Sequence, residues 1–398
     1  MKTILWRKEN MQNFAFCTPT QVYFGKDEIK QLPQALKTLG QRILLVYGGG
    51  SIKKLGLYDV IKDLTKEFTV FELSGVEPNP KISSVRAGVK ICKEEKIDAI
   101  LAVGGGSVID CCKNIACGAF YDGDPWDLVL DNSKVTNALP ICSVLTLAAT
   151  GSEFDHGCVI SNAETDEKLF ITNSALFPKI SILDPTYTFS VSAYQTAAGS
   201  VDMISHICEQ YFVRERSVLT EGICESVIRT VMHNAPIAIK EPQNYTARSE
   251  LMWSSSLACN GICSLGNSPS MWTCHAIEHE ISAYTDITHG VGLAIITPHW
   301  MEYCLNKDET TAPYFAKFGY RLFDIAKTDD VKKDAQAAID AFKAFLNSLP
   351  IPHTLTEAGV PDTHFKEMGE HACKYWNLGA AFVPVSADDV VTILKASL

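Results

Sequence analysis

The chain has 398 residues, 46% of them hydrophobic and 20% charged, with a formal net charge of −11 at pH 7. That length exceeds what one compact core usually holds, so two domains are expected, and the ordinary composition excludes a disordered, collagen-like or coiled-coil protein. The acidic balance argues against nucleic acid or an anionic membrane as a partner, and no apolar run approaches the roughly 18–20 residues of a membrane span.

Residues 1–10 carry charge but no apolar stretch and do not read as a secretory signal, so a soluble, cytoplasmic protein is expected. The first half alternates strand-like and helix-like segments. Residues 42–47 form a continuous apolar run that ends at Gly48, Gly49 and Gly50. A helical pattern follows over 51–68, then a strand around 70–73. The prolines of 76–80 mark a loop, and a helix follows to about residue 96. Residues 97–103 are a second apolar strand, ending at Gly104, Gly105 and Gly106, with Ser107 placed to cap the next helix. Continuous apolar strands separated by helices predict a parallel sheet covered on both faces. Short strands at 141–145, 157–160 and 180–183 are expected to complete it. From about residue 190 the pattern changes to successive helical segments at 191–213, 216–240, 246–265, 270–284, 290–306, 311–325 and 331–348. The domains are therefore an α/β unit over 1–188 and an all-helical unit over 189–398. The 14 cysteines lie in apolar runs without a C-x-x-C pair and read as buried, reduced thiols.

Two strands end in the same tetrapeptide, Gly48-Gly-Gly-Ser51 and Gly104-Gly-Gly-Ser107. Glycine lets the backbone approach a phosphate closely, and unpaired N–H groups at a helix start attract one. The bland alternative is a pair of tight turns. The Rossmann fingerprint fails because its third glycine would fall on Ile109, and no Walker lysine follows. The loop 146–152, beginning at Thr146, adds hydroxyls at what should be the same carboxyl edge of the sheet, where ligands bind in such folds.

Six of the ten histidines lie between 206 and 299. Asp202 and His206 are four apart on a predicted helix, as are His275 and His279, so each pair shares a face. His289 opens another helix fourteen residues after His275. One carboxylate with several imidazoles on neighbouring helices is a plausible set of ligands for Zn²⁺ or Fe²⁺. His275-Ala-Ile-Glu278-His279 also matches the H-x-x-E-H pattern of inverzincin metallopeptidases, a reading that leaves both glycine loops without a role.

With these motifs together, the chain resembles the iron-containing (group III) alcohol dehydrogenase family and, within it, the NADPH-dependent butanol dehydrogenase and aldehyde reductase branch. The likeness runs over about residues 12–395 and leaves the first ten as an upstream extension. It implies a dehydroquinate synthase-like fold, an α/β dinucleotide-binding domain followed by an all-helical metal-binding domain. By the same resemblance Asp202, His206, His275 and His289 are metal ligands. Gly104, Gly105, Gly106 and Ser107 form the pyrophosphate loop, with Asp110 in its helix. Thr146 and Lys168 contact the cofactor, Asn79 lies beside its adenosine half, and His279 handles a proton near the nicotinamide. NAD-using members carry an aspartate at the position matching Gly49, so its absence predicts NADP(H), with NAD the alternative. The expected substrate is a small aldehyde or alcohol, in a homodimer or larger homo-oligomer. Trp253, Asn260 and Trp272 are expected to shape the pocket. An NAD-dependent polyol or hydroxyacid dehydrogenase, and a lyase of the dehydroquinate synthase kind, are the related alternatives.

Overall fold

Apolar runs bounded by glycine become strands here because both of their faces are covered. The computed structural model describes residues 11–398; the expected upstream extension, 1–10, lies outside the described residues. The strands are β1 (Gln21–Phe24), β2 (Arg42–Gly48), β3 (Thr69–Val76), β4 (Ala99–Gly104), β5 (Ile141–Leu145), β6 (Gly157–Asn162), β7 (Glu167–Thr172) and β8 (Ile180–Leu183). Six form one parallel sheet in the order β1-β8-β5-β4-β2-β3. Between them run α1 (Leu32–Lys37), α2 (Ser51–Lys54), α3 (Leu57–Leu64), α4 (Ile82–Glu94), α5 (Gly106–Gly118) and α6 (Trp126–Leu130). Alternate side chains of each strand enter different cores. Leu44, Val46, Ile100 and Ala102 meet Val85 of α4 and Ile109 and Ile115 of α5. Ile43, Leu45, Leu101 and Val103 meet Leu32 and Leu36 of α1 and Leu57 and Ile61 of α3. Each such fully buried Leu or Ile contributes about 1.5–3 kcal/mol.

Three expectations are corrected. The helix expected over 51–68 is broken into α2 and α3 at Gly56, whose φ of 71° a side chain would resist. Helix α5 begins at Gly106, with Gly105 in the cap position and no side-chain cap, so Ser107 lies within the first turn instead of capping it. Residues 157–160 do not join the main sheet. β6 pairs antiparallel with β7 in a separate hairpin, because the place beside β5 is taken by β8.

The helical part comprises α7 (Ala193–Tyr211), α8 (Val218–Lys240), α9 (Tyr245–Cys259), α10 (Thr273–Thr285), α11 (His289–Lys307), α12 (Ala312–Leu322), α13 (Val331–Asn347), α14 (Phe365–Tyr375) and α15 (Ala387–Ala396). Several starts are fixed by side-chain caps: Ser192, Ser217, Asn244, Asp330 and Ser386 each accept a hydrogen bond from a first-turn N–H. Val201, Ile204 and Ile207 of α7 lie in one core with Ile228, Ile277 and Leu293, so α7 is the central helix of this part. The cysteines are unpaired, and all but Cys17, Cys259 and Cys373 are buried. Among the described residues no helix is long and apolar enough to cross a membrane.

Candidate active site

Helix α7 sets Asp202, His206 and Glu209 along one face, at spacings of four and three residues. Helix α10 adds His275, Glu278 and His279, and α11 opens with His289. These elements converge on Asp202 Oδ1. His206 Nε2 lies 3.4 Å from it, His289 Nε2 3.6 Å and His275 Nε2 3.9 Å. The ligand atoms of Asp202, His275 and His289 all lie within 4.8 Å of one another, a group that does not include His206. Asp202 Oδ1 and His275 Nε2 are buried without a hydrogen-bond partner. Burying such atoms unpaired is costly, and a cation placed among them removes that cost, so the residues present fit a divalent metal. Burial, opposed by Asp202, pushes His206 down to about 3, which keeps its ring neutral with one nitrogen lone pair available.

A second row of polar groups backs the first. His275 donates its backbone N–H to Glu209 Oε1 at 2.8 Å, and its Nδ1 lies 2.9 Å from the same oxygen. His289 Nδ1 meets Glu278, which also accepts from Ser282 and, at 3.2 Å, from Lys168 Nζ. Burial works to raise the Glu278 carboxyl, but His289 and Lys168 override it and hold it well below the usual range. Glu278 is thus enclosed and fully engaged, unlike the free general base a metallopeptidase needs. His279 lies 5.6 Å, ring to ring, from both His289 and Trp376, with Nδ1 buried and unpartnered. Burial, with Lys168 and His289 beside it, holds it far below the ordinary imidazole value. Glu278, His279 and His289 form a second possible ligand group sharing His289 with the first.

The glycine loops lie at the carboxyl ends of β2 and β4, and the 146–152 loop at that of the neighbouring β5. Thr146 N–H donates to Gly104 O at 3.0 Å. A Cβ on Gly106 would sit 2.2 Å from Thr150 Oγ1, so only glycine lets these two loops touch. Gly49 has no atom near its Cβ position, and Gly50 has a φ of 110°. Asp110 faces inward: its oxygens accept from Ser152 Oγ at 2.5 Å and Val159 N–H at 2.9 Å, which braces the 146–152 loop. Lys168, from β7, lies 3.4 Å from His289 Nδ1 and so brings the α/β part to the cluster around Asp202. Asn79 donates to Asp286 at 2.9 Å and to Ile287 O at 3.3 Å, tying the β3–α4 loop to the turn before His289.

Of the expected pocket residues, Trp272 lies edge-on to His206 and His275 at 5.8 and 5.1 Å, in a left-handed backbone conformation. Trp253 packs against Phe24 and Phe154, and Asn260 is occupied by Ile262 N–H. Sequence reasoning missed Glu209, Asp286 and Trp376. Glu209 alone had a usable signal, three residues after His206 on the same helical face.

A family model described as iron-containing alcohol dehydrogenase matches residues 19–185, and the C-terminal model of the Fe-containing alcohol dehydrogenase family matches 196–398. The chain is 48% identical to NADH-dependent butanol dehydrogenase A of Clostridium acetobutylicum, over 97% of this chain and all of that one. It is 36% identical to the NADPH-dependent aldehyde reductase YqhD of Escherichia coli, over 91% of this chain and 94% of that one. Among solved structures, an NADH-dependent butanol dehydrogenase A from Thermotoga maritima superposes with a TM-score of 0.93 at 38% identity, covering 98% of this chain and 99% of that one.

Proposed function

This chain belongs to the iron-containing alcohol dehydrogenase family, and from that premise we propose that it transfers hydride between NADP(H) and small aldehydes or primary alcohols, with a divalent cation, Fe²⁺ or Zn²⁺, held by Asp202, His206, His275 and His289. It is an alcohol dehydrogenase of the butanol dehydrogenase and aldehyde reductase type. The observation that carries the reading is the convergence of three imidazoles on the unpartnered Asp202 Oδ1, with α7 packed against the 146–152 loop at the carboxyl edge of the sheet. We place the division between the two parts at 188/189, just before α7.

When bound, the cation supplies Lewis-acid polarisation of a carbonyl oxygen and the nicotinamide supplies the hydride. The rest falls to the chain. The backbone at 104–107 would hold the pyrophosphate, since its glycines carry no side chain and it leads into the start of α5. Glu278 of α10, itself held by Lys168 from the α/β side, keeps His289 in place. His279, neutral and enclosed by Trp376 and the other imidazoles, carries one N–H and one lone pair and can pass a proton without gaining charge.

The choice of NADPH rests on the loop at 48–51, which has no carboxylate to accept a ribose 2′-hydroxyl or repel a 2′-phosphate. Glu72 on the neighbouring strand β3 is engaged by Tyr47, Tyr58 and Lys62, each at 3.0 Å. Lys53 adds positive charge beside the loop, 5.2 Å from the Tyr47 ring. NADH is the second reading, favoured by the names of relatives 48% and 46% identical to this chain. The test is kcat/KM for butanal with each cofactor, in wild type and Gly49→Asp. Gly49 has open space at Cβ, so the aspartate enters without a clash. Wild type should prefer NADPH and the variant NADH, with lost contacts and added repulsion each contributing on the order of 1–3 kcal/mol. An equal or NADH-favouring wild type, or a ratio unmoved by the variant, overturns the NADPH assignment. No turnover of aldehydes with either cofactor overturns the reductase reading.

A further inference from the structure

Helix α7 carries a third acid–base residue on its metal-facing side that the ligand set does not use. Glu209 follows Asp202 by seven residues and His206 by three, and its side chain is 2% exposed. Among the described residues its ionic contact is to His275 alone. Both contacts go to one oxygen: the His275 backbone N–H donates to Oε1 at 2.8 Å, and Nδ1 lies 2.9 Å away. With that oxygen accepting, Nδ1 carries the ring proton. The lone pair is then on Nε2, which is buried without a partner 3.9 Å from Asp202 Oδ1. The other imidazoles differ. His206 Nδ1 has no partner, and the Glu278 behind His289 is shared with Lys168 and Ser282.

We propose that Glu209 is a positioning residue: it fixes His275 in the Nδ1–H tautomer, aims Nε2 at the cation, and through its charge makes that nitrogen a stronger ligand. The inference rests on the metal-site reading above. A purely structural role would be to cap the first turn of α10 through the His275 N–H. Glutamine isolates the charge, because its amide oxygen can keep both the cap contact and the contact to Nδ1.

The experiment titrates metal-free protein with Co²⁺, recording affinity and the visible absorption bands, beside thermal melting of the metal-free forms. Glu209→Gln should melt like wild type, bind Co²⁺ roughly 10–100-fold more weakly and shift the bands. Glu209→Ala should bind at least as weakly and melt lower. Wild-type affinity and an unshifted spectrum in Glu209→Gln overturn the proposal and leave Glu209 a helix cap. Should the glutamine variant not fold, nitrogen NMR of wild-type protein labelled at histidine decides. His275 bound through Nε2 with Nδ1 protonated supports the proposal, and binding through Nδ1 overturns it. Failure of wild type to take up Co²⁺ sinks the metal-site reading itself, a result distinct from equal binding by wild type and variant.

Discussion

Glu153, in the 146–152 loop's continuation, has its side chain wholly inside the protein. Ser256 of α9 donates to Oε1 at 2.5 Å, while Oε2 has no partner. Burial, only partly offset by that hydrogen bond, pushes the carboxyl up to about 7. The native state therefore binds this proton more tightly than the unfolded chain, whose carboxyl titrates near 4.5. Its stabilising effect is complete below the unfolded value and is lost as pH rises from there through about 7, a swing on the order of 3 kcal/mol. Stability followed by urea midpoint should fall between pH 5 and 8, and Glu153→Gln should flatten the fall. Asp110, raised to about 6, and Glu280, raised to about 8, tilt both proteins alike, so the difference isolates Glu153. Parallel profiles in the two proteins would contradict the assignment. At this scale the sequence was legible where spacing carries geometry. Asp202 and His206 share one face of α7, and His275 and His279 one face of α10, because four residues make about one helical turn. Glu153 and Asp286 gave no such signal, since a carboxylate in a loop looks the same whether it is solvated or enclosed.

Among the elements, the approach of α11 to α7 decides whether the ligands meet. A Cβ on Gly290 would lie 2.0 Å from Ala198 O, a backbone atom that cannot turn aside. Gly290 follows His289 directly, so anything that separates the two helices moves His289 Nε2 from Asp202 Oδ1. Gly290→Ala should therefore lower the melting temperature, by a destabilisation of about 1–3 kcal/mol, and reduce metal content in the fraction that folds. Wild-type melting with full metal content would show that the helices have slack here. The helical segments were readable because hydrophobic period and caps are local, as at Ser192 and Ser217. The break at Gly56 and the pairing of β6 with β7 were not. A periodic pattern does not report a left-handed backbone, and a short apolar run does not say which strand will pair with it. The four-residue edge strand β1 and the terminal α14 and α15 also escaped notice, although Trp376, just past α14, reaches His279.

Taken whole, the molecule joins a parallel sheet with glycine loops to a helical cluster of histidines around Asp202 through a few side-chain ties, two of them at least partly buried. Lys168 reaches Glu278, and Asn79 and Lys81 hold Asp286, three residues before His289. The glycine loops and the histidines were each visible in the sequence, and the ties between them were not, because they depend on side chains more than a hundred positions apart. The central claim is that one cation, held by Asp202 and the three histidines, is needed for aldehyde reduction. Its most direct test is the rate of butanal reduction by NADPH in protein stripped of metal and then titrated with Fe²⁺ or Zn²⁺, beside Asp202→Asn treated in the same way. The stripped protein should be inactive and regain its rate at one equivalent, and Asp202→Asn should stay inactive while still binding the dinucleotide. Turnover that survives stripping, or an Asp202→Asn variant with wild-type metal content and rate, would contradict the claim.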